Sequence, residues 1–114
     1  LMPHEKQALL TAALNESLDA TGCRLFRAQM MTEMAALSVE DGMVMQIHAG
    51  SKRNTDTLLM SDYGPNLGAD IPTPTDFVNG LQPLLSRFGM AQGFRLILFT
   101  LDETTYAREL APMA

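Results

Sequence analysis

The spacing of apolar positions divides the chain into a helical first part and a second part in which strands and helices alternate. Residues 3–14 predict a first helix, because Pro3 suits a first helical turn and good helix formers follow it. Residues 15–22 predict a loop. Residues 25–41 predict a longer helix, since Phe26, Met30, Met34 and Leu37 recur every three or four positions. Gly42 should end this helix, because glycine tolerates the left-handed conformation past a helix end.

Two short apolar runs in the second part predict strands, over residues 43–47 and 96–100. Runs with so few polar positions are typical of strands that are covered on both faces. The segment between them is long enough for a helix. A strand–helix–strand order predicts two parallel strands joined by a right-handed crossover.

The segments around these strands complete the predicted elements. Residues 73–89 predict a helix between the strands, capped by Thr75 or Asp76. Residues 106–113 predict a last helix. The connection over residues 49–72 contains several glycines and prolines and has little periodicity. Long connections inside compact domains are usually functional or disordered.

The predicted fold class is therefore α/β, with the order α-α-β-α-β-α and two parallel strands. The prediction is one partial domain, 1–114, in which 1–42 form a helical region and 43–114 a βαβα segment. Two parallel strands do not make a viable sheet by themselves. We therefore expect a piece of a larger α/β protein, or a homo-oligomer that pairs through its exposed strand edges.

Composition and charge narrow the classes of function. The net charge is −5, from 8 Lys and Arg against 13 Asp and Glu. This balance argues against a general nucleic-acid or membrane-surface binder, which would carry a basic excess. The single cysteine, Cys23, rules out an internal disulfide and is typical of a reducing compartment. No apolar run is long enough to span a bilayer and no signal-peptide core is visible, so we expect a cytoplasmic protein.

His48 is the first candidate for chemistry. It stands at the end of the first predicted strand, and ligands of α/β proteins bind at the carboxyl ends of parallel strands. A neutral imidazole there can ligate a divalent metal or transfer a proton. Position alone leaves open that His48 is a hydrogen-bonded structural residue. The chain has no HxH or HExxH spacing, so it has no recognisable metal motif.

Charged residues near the two strand ends are the other candidates. Arg53, in a loop that begins at Gly50, can bind a carboxylate through two parallel hydrogen bonds, although surface loops often carry such residues. Asp102 and Glu103 follow the second strand. They are candidate acids or metal ligands, but helix capping explains them without a further assumption. Residues 63–70 have the composition of a shaped loop that covers a site.

One motif is specific enough to indicate a family. Residues 45–54 carry the pattern Met-Gln-x-His-x-Gly-x-x-Arg-Asn. Together with residues 63–72, 81–89 and 98–106, this segment resembles the uronate isomerases, also called glucuronate isomerases. The resemblance covers most of residues 25–114, whereas residues 1–22 match only in being helical.

The resemblance implies a fold and a reaction. The family belongs to the amidohydrolase superfamily and has a distorted (β/α)₈ barrel. Its enzymes interconvert D-glucuronate with D-fructuronate and D-galacturonate with D-tagaturonate in hexuronate catabolism. This aldose–ketose isomerisation moves a proton between C2 and C1, through a cis-enediol. A divalent metal, commonly zinc, lies near the reacting oxygens. By position, His48 matches an active-site histidine near metal and substrate, and Arg53 matches an arginine of the substrate pocket.

Several family features are missing from this chain. The HxH metal pair of the first barrel strand, the Asp-x-Arg segment of the last strand and a tryptophan pair are all absent. We therefore expect an internal fragment, a partial (β/α)₈ barrel segment that is inactive and binds no metal by itself. His48 would be a metal ligand only with partners from elsewhere. Two alternatives stay open: a stand-alone, non-catalytic α/β domain that self-associates or binds a partner, and a hydrolytic member of the superfamily.

Overall fold

The computed structural model describes all residues, Leu1–Ala114, as a parallel strand pair with helices packed against one face. The elements in chain order are α1 (Pro3–Leu14), α2 (Ala20–Asp41), β1 (Met45–Ala49), β2 (Ser51–Lys52), α3 (Thr57–Tyr63), β3 (Ile71–Pro72), α4 (Phe77–Phe88), β4 (Leu96–Thr100), a π-helical turn (Tyr106–Leu110) and α5 (Ala111–Met113). None of the helices combines the length and the apolar character that crossing a membrane requires.

The β1–β4 pair is the centre of the fold. The two strands are parallel, with Met45 opposite Leu96 and His48 opposite Phe99. Because α4 lies between them in the chain, the predicted βαβ unit is confirmed. The bounds of β4 are those predicted, but β1 begins two residues later than predicted. Pairing starts where the Met45 N–H donates to the Arg95 carbonyl at 2.9 Å, so the partner strand sets the register.

The helices cover one face of this pair. The core cluster consists of Ala35 from α2, Met45 from β1, and Leu84 and Phe88 from α4, each at most 9 % exposed. Residues next to them, including Ile47 and four further apolar neighbours (Met31, Val39, Phe94 and Leu96), are half-buried against this cluster. The burial of these side chains is the main stabilising contribution that the helices make to the strands.

The opposite face of the pair is open, which corrects the prediction that both faces are covered. Ile97 and Phe99 are 45 % and 43 % exposed, and Gln46 and His48 are also exposed. Successive strand residues point to opposite faces, so these four residues share one side. Apolar residues occupy both faces of β4, and for this reason its composition alone indicated a fully covered strand.

The two N-terminal helices agree with the sequence except at one boundary. The bounds of α1 are those predicted. The second helix begins at Ala20 and not at residue 25, because the Asp19 carboxylate caps it by accepting the Gly22 N–H at 2.6 Å. It ends before Gly42, whose φ of 68° is left-handed as predicted. The Lys6 ammonium joins α1 to α2 through the Glu33 carboxylate at 2.6 Å.

The connection after β1 is structured, so the predicted element order is incomplete. It contains the antiparallel pair of β2 and β3 and, between them, α3. Asp56 begins α3 by accepting the N–H groups of Leu58 and Leu59, both at 3.0 Å. A helix of this length is too short to show a clear apolar period. Two-residue strands likewise have no period of their own.

Helix α4 contacts the π-helical turn that follows β4. Helix α4 begins at Phe77, later than predicted, because Asp76 and not Thr75 caps it by accepting the Asn79 N–H at 3.0 Å. The Phe77 N–H donates to the Glu109 carboxylate of the π-helical turn at 2.8 Å. Only the last three residues of the predicted final helix are α-helical. No local pattern predicts the contact of buried Glu109 with Phe77, which holds this turn against α4.

Candidate functional site

A cavity of about 640 Å³ lies at the carboxyl ends of β1 and β4. Its polar lining includes His48, Arg53, Asp70 and Tyr106, and the Phe99 ring forms part of its apolar wall. His48 and Arg53, the two residues that the sequence singled out, therefore both line this cavity. This is the edge at which α/β proteins bind ligands.

The His48 imidazole lies against the Phe99 ring. The ring centroids are 4.2 Å apart and the planes are inclined by 16°, an almost parallel stack that follows from the direct pairing of the two residues. Neither ring nitrogen is hydrogen-bonded to another residue of the chain. The contact covers one face of the imidazole and leaves both nitrogens at its edge.

Gly50 allows the chain to turn where β1 ends. Its φ is +77°, and a Cβ built on it would lie 2.7 Å from Thr75 Cγ2 and 2.9 Å from the Thr73 carbonyl oxygen. Any other residue would be strained by the left-handed backbone and would collide with this segment. The Thr73 N–H donates to the Gly50 carbonyl at 2.8 Å. The segment before α4 is thus held against the strand end, two residues from His48.

Arg53 follows β2, and Asp70 precedes β3. The antiparallel pairing of Lys52 with Ile71 brings them side by side, with Arg53 Nε 3.3 Å from Asp70 Oδ1. Asp70 is the member of the predicted covering loop that lines the cavity. Tyr63, from the same loop, is 73 % exposed and lies outside the lining. A second contact closes the loop, from the Asn66 N–H to the side-chain oxygen of Asn54 at 2.7 Å.

Asp102 has a structural role at the site's edge. Its carboxylate accepts the N–H groups of Thr75 at 3.3 Å and Thr104 at 3.1 Å, and the Thr104 hydroxyl at 2.6 Å. The hydroxyl bond is the main cause that holds the pKa of Asp102 below its usual range. Of the two functions considered from sequence, capping is the one that these contacts support. Glu103 is exposed and does not line the cavity.

Phe99 and Tyr106 line the cavity although the sequence predicts only a strand for the first and a helix start for the second. Asp70 belongs to the predicted covering loop, but its contact with Arg53 is not predicted. The Tyr106 hydroxyl donates to the Thr100 carbonyl at 3.2 Å, which holds the phenol at the end of β4. The position of Tyr106 just past a strand end was the one available signal. The pairing of Asp70 with Arg53 has no recognisable sequence pattern, because it depends on the register of β2 and β3.

The chain has individual side chains that can bind a metal ion, but they are not clustered. No group of three or more His, Cys, Asp or Glu residues is arranged to hold a metal ion. His48 is one imidazole, and the carboxylate that shares its cavity, Asp70, is paired with Arg53. The residues present therefore do not fit a complete divalent metal site.

Comparisons with known proteins agree with the resemblance of the motif. The sequence profile of a family described as glucuronate isomerase matches residues 3–114. A uronate isomerase of Xanthomonas campestris pv. campestris (strain B100) is 54 % identical over 114 residues, which are 100 % of this chain and 24 % of that protein. A uronate isomerase of Phenylobacterium zucineum (strain HLK1) is 54 % identical over 110 residues, 96 % of this chain and 23 % of that protein.

Solved structures give the same result. The crystal structure of glucuronate isomerase from Caulobacter crescentus matches with a TM-score of 0.90 and 50 % identity, over 99 % of this chain and 24 % of that one. The uronate isomerase of Thermotoga maritima matches with a TM-score of 0.80 and 25 % identity, over 95 % of this chain and 24 % of that one. The chain thus spans about a quarter of the length of the proteins it matches.

Proposed function

The chain belongs to the glucuronate isomerase family, and from this premise we propose that it supplies one wall of a uronate isomerase active site. The observation that carries the proposal is the cavity in which His48 and Arg53 meet at the carboxyl ends of two parallel strands. An imidazole and a guanidinium at one strand edge suit a substrate that has both an exchangeable proton and a carboxylate.

The proposed reaction is an aldose–ketose isomerisation of a hexuronate, such as D-glucuronate to D-fructuronate or D-galacturonate to D-tagaturonate, in hexuronate catabolism. The C2 proton leaves while the C1 carbonyl oxygen takes up a proton, which gives a cis-enediol. A proton then returns to C1 as the C2 hydroxyl loses its proton and becomes the new carbonyl. His48 acts as an acid–base group in this transfer, because it lines the cavity and neither ring nitrogen is hydrogen-bonded to another residue of the chain. The Phe99 ring covers one face of the imidazole at the cavity wall.

Arg53 binds the uronate carboxylate in this proposal. Its side chain is 54 % exposed at the cavity and contacts Asp70 through Nε. The two terminal guanidinium nitrogens remain available, and their planar arrangement matches the two oxygens of a carboxylate. Anchoring the carboxylate would place the C1–C2 end of the open-chain sugar at a fixed distance from His48.

The surrounding fold in this proposal is a (β/α)₈ barrel, to which the chain contributes two neighbouring strands and their helices. Helices lie outside such barrels and side chains fill the interior. The helix-covered face of β1 and β4 would be the outer one, and the open face with His48 would be the inner one. A divalent metal, commonly zinc, would polarise the reacting oxygens, and ligands outside these 114 residues would complete its site. The single free cysteine fits a cytoplasmic location.

A chimaera tests the proposal. In the glucuronate isomerase of Caulobacter crescentus, the matched 24 % of the chain is replaced by residues 1–114 of this protein. We expect the purified chimaera to convert D-glucuronate, because the overlay of this segment has a TM-score of 0.90. Turnover is followed by proton NMR, with the unaltered Caulobacter enzyme as the control. The 114-residue chain alone should give no turnover, since it has no complete metal site.

The same experiment decides between this function and a non-catalytic α/β domain that self-associates. That alternative is favoured by one observation, the open face and single neighbour of each strand in the β1–β4 pair. A chimaera that folds but converts no glucuronate would contradict the isomerase proposal and favour the alternative. Turnover by the isolated chain would contradict the view that the site needs walls from outside these residues.

A further inference from the structure

We propose that Asp70 is a positioning residue that orients Arg53 for carboxylate binding, an inference that rests on the proposed function. The juxtaposition has a clear structural cause. Beyond the paired residues Lys52 and Ile71, the next two positions in the antiparallel register are Arg53 and Asp70. The ion pair, with 3.3 Å between Arg53 Nε and Asp70 Oδ1, therefore lies at one end of the β2–β3 pairing. The other end of this pairing is the hydrogen bond between Gly50 and Thr73.

The β2–β3 pairing is attached to the carboxyl end of β1, the strand that contains His48. The Thr73 N–H donates to the Gly50 carbonyl at 2.8 Å, and the lack of a Cβ at Gly50 lets the Thr73–Thr75 segment approach. The Thr75 N–H in turn donates to Asp102 at the end of β4. The position of Asp70 is thus fixed relative to both strands of the sheet, although Asp70 itself lies on a long connection.

The Arg53–Asp70 ion pair is better explained by the orientation of the Arg53 side chain than by a contribution to the stability of the fold. The two side chains are 54 % and 43 % exposed, and ion pairs as exposed as this contribute little to stability. An arginine at the rim of a cavity has many rotamers, and fixing one of them before the ligand arrives lowers the entropic cost of binding. Contact through Nε also leaves the opposite, terminal edge of the guanidinium unpaired. That edge can hold a carboxylate with two parallel hydrogen bonds.

The test uses the Asp70→Asn substitution in the Caulobacter chimaera. Asn keeps the size of the side chain but removes its charge, so Arg53 loses its partner. We expect KM for D-glucuronate to rise about fivefold, the equivalent of immobilising one rotamer-rich side chain at binding, while kcat stays nearly constant. Asp70→Glu should restore most of the affinity. Asp62→Asn, at an exposed position in α3, is the matched control and should leave KM unchanged.

A double-mutant cycle separates positioning from a merely structural role. If Asp70 acts through Arg53, adding Asp70→Asn to Arg53→Lys should raise KM no further, whereas independent effects multiply. A KM that is unchanged or lowered in Asp70→Asn would refute positioning, and a lowered KM would show that Asp70 competes with the substrate carboxylate. These results are distinct from the failure of the proposed function, in which the unsubstituted chimaera is folded but inactive.

A measurement on the 114-residue chain itself does not depend on activity. NMR relaxation of the Arg53 Nε–Hε group reports how rigidly the guanidinium is held. We expect a clear loss of order in Asp70→Asn and no loss in Asp62→Asn. Equal order in all three proteins would overturn the proposal even if the chimaera could not be prepared in folded form.

Discussion

The two faces of the β1–β4 pair differ in what their side chains contact. On one face, Met45 is 5 % exposed and packs against Leu84 and Phe88 of α4. On the other face, His48 and Phe99 stack on each other and line a cavity. Alternate residues of one five-residue strand thus belong to a packed core and to a candidate site. The packed face therefore contributes to stability, whereas the open face forms the candidate site. Substitutions on each face can test this difference.

The largest effect on stability is expected on the covered face, for Leu84→Ala. Leu84 is 5 % exposed within the core cluster, and such truncations cost about 3 kcal/mol through lost burial and the cavity left behind. Urea unfolding of the 114-residue chain, followed by circular dichroism, measures this loss. A loss of stability no larger than that of an open-face substitution would show that the helices do not stabilise the strand pair.

An intermediate effect is expected at the strand ends, for Asp102→Asn. Because hydrogen bonds hold the pKa of Asp102 below its usual value in the folded state, its carboxylate stabilises the fold above the unfolded pKa. This contribution is lost as the pH falls through the lower folded pKa. The free energy of unfolding should therefore decrease on acidification below about pH 4, and the variant should show a weaker decrease.

The control for this prediction is Glu103→Gln, the exposed neighbour. It should leave the acid-induced decrease intact, because Asp102 keeps its carboxylate and the hydrogen bonds that lower its pKa. Urea unfolding at several pH values measures all three proteins. Identical pH dependences for Asp102→Asn and the unsubstituted chain would mean that the bonds from Thr75 and Thr104 do not stabilise the fold.

The smallest effect is expected on the open face, for Ile97→Ala, which is the matched comparison to Leu84→Ala. Ile97 is 45 % exposed, so its truncation removes little buried area and should cost less than about 1 kcal/mol in the isolated chain. The same urea experiment measures it. A cost equal to that of Leu84→Ala would mean that this face is covered in solution, for instance by self-association.

Sequence patterns predicted correctly those elements whose bounds are determined by residues close to them in the chain. The bounds of α1 and β4 and the helix end at Gly42 follow from composition and capping, and the structure has them as predicted. His48 was found because it stands near a strand end. The family resemblance depends on the motif at residues 45–54 together with residues 63–72, 81–89 and 98–106.

Features that depend on distant residues could not be predicted in this way. The register of β1 is set by residues about fifty positions away in β4, so its start was placed two residues early. The same applies to the stack of His48 on Phe99 and to the ion pair of Arg53 with Asp70. The open face was missed because nothing in the sequence of β4 distinguishes a face that contacts helices from one that lines a cavity.

The most direct test that the open face belongs to the active site is the isomerase activity of the Caulobacter chimaera with and without His48→Ala. We expect turnover of D-glucuronate to fall about a hundredfold or more in His48→Ala, as expected for the loss of an acid–base group, while the unfolding temperature is nearly unchanged. The control is His4→Ala, which removes the other, exposed histidine in α1. Near-normal turnover in His48→Ala would contradict the claim that the open face of this strand pair is a wall of the active site.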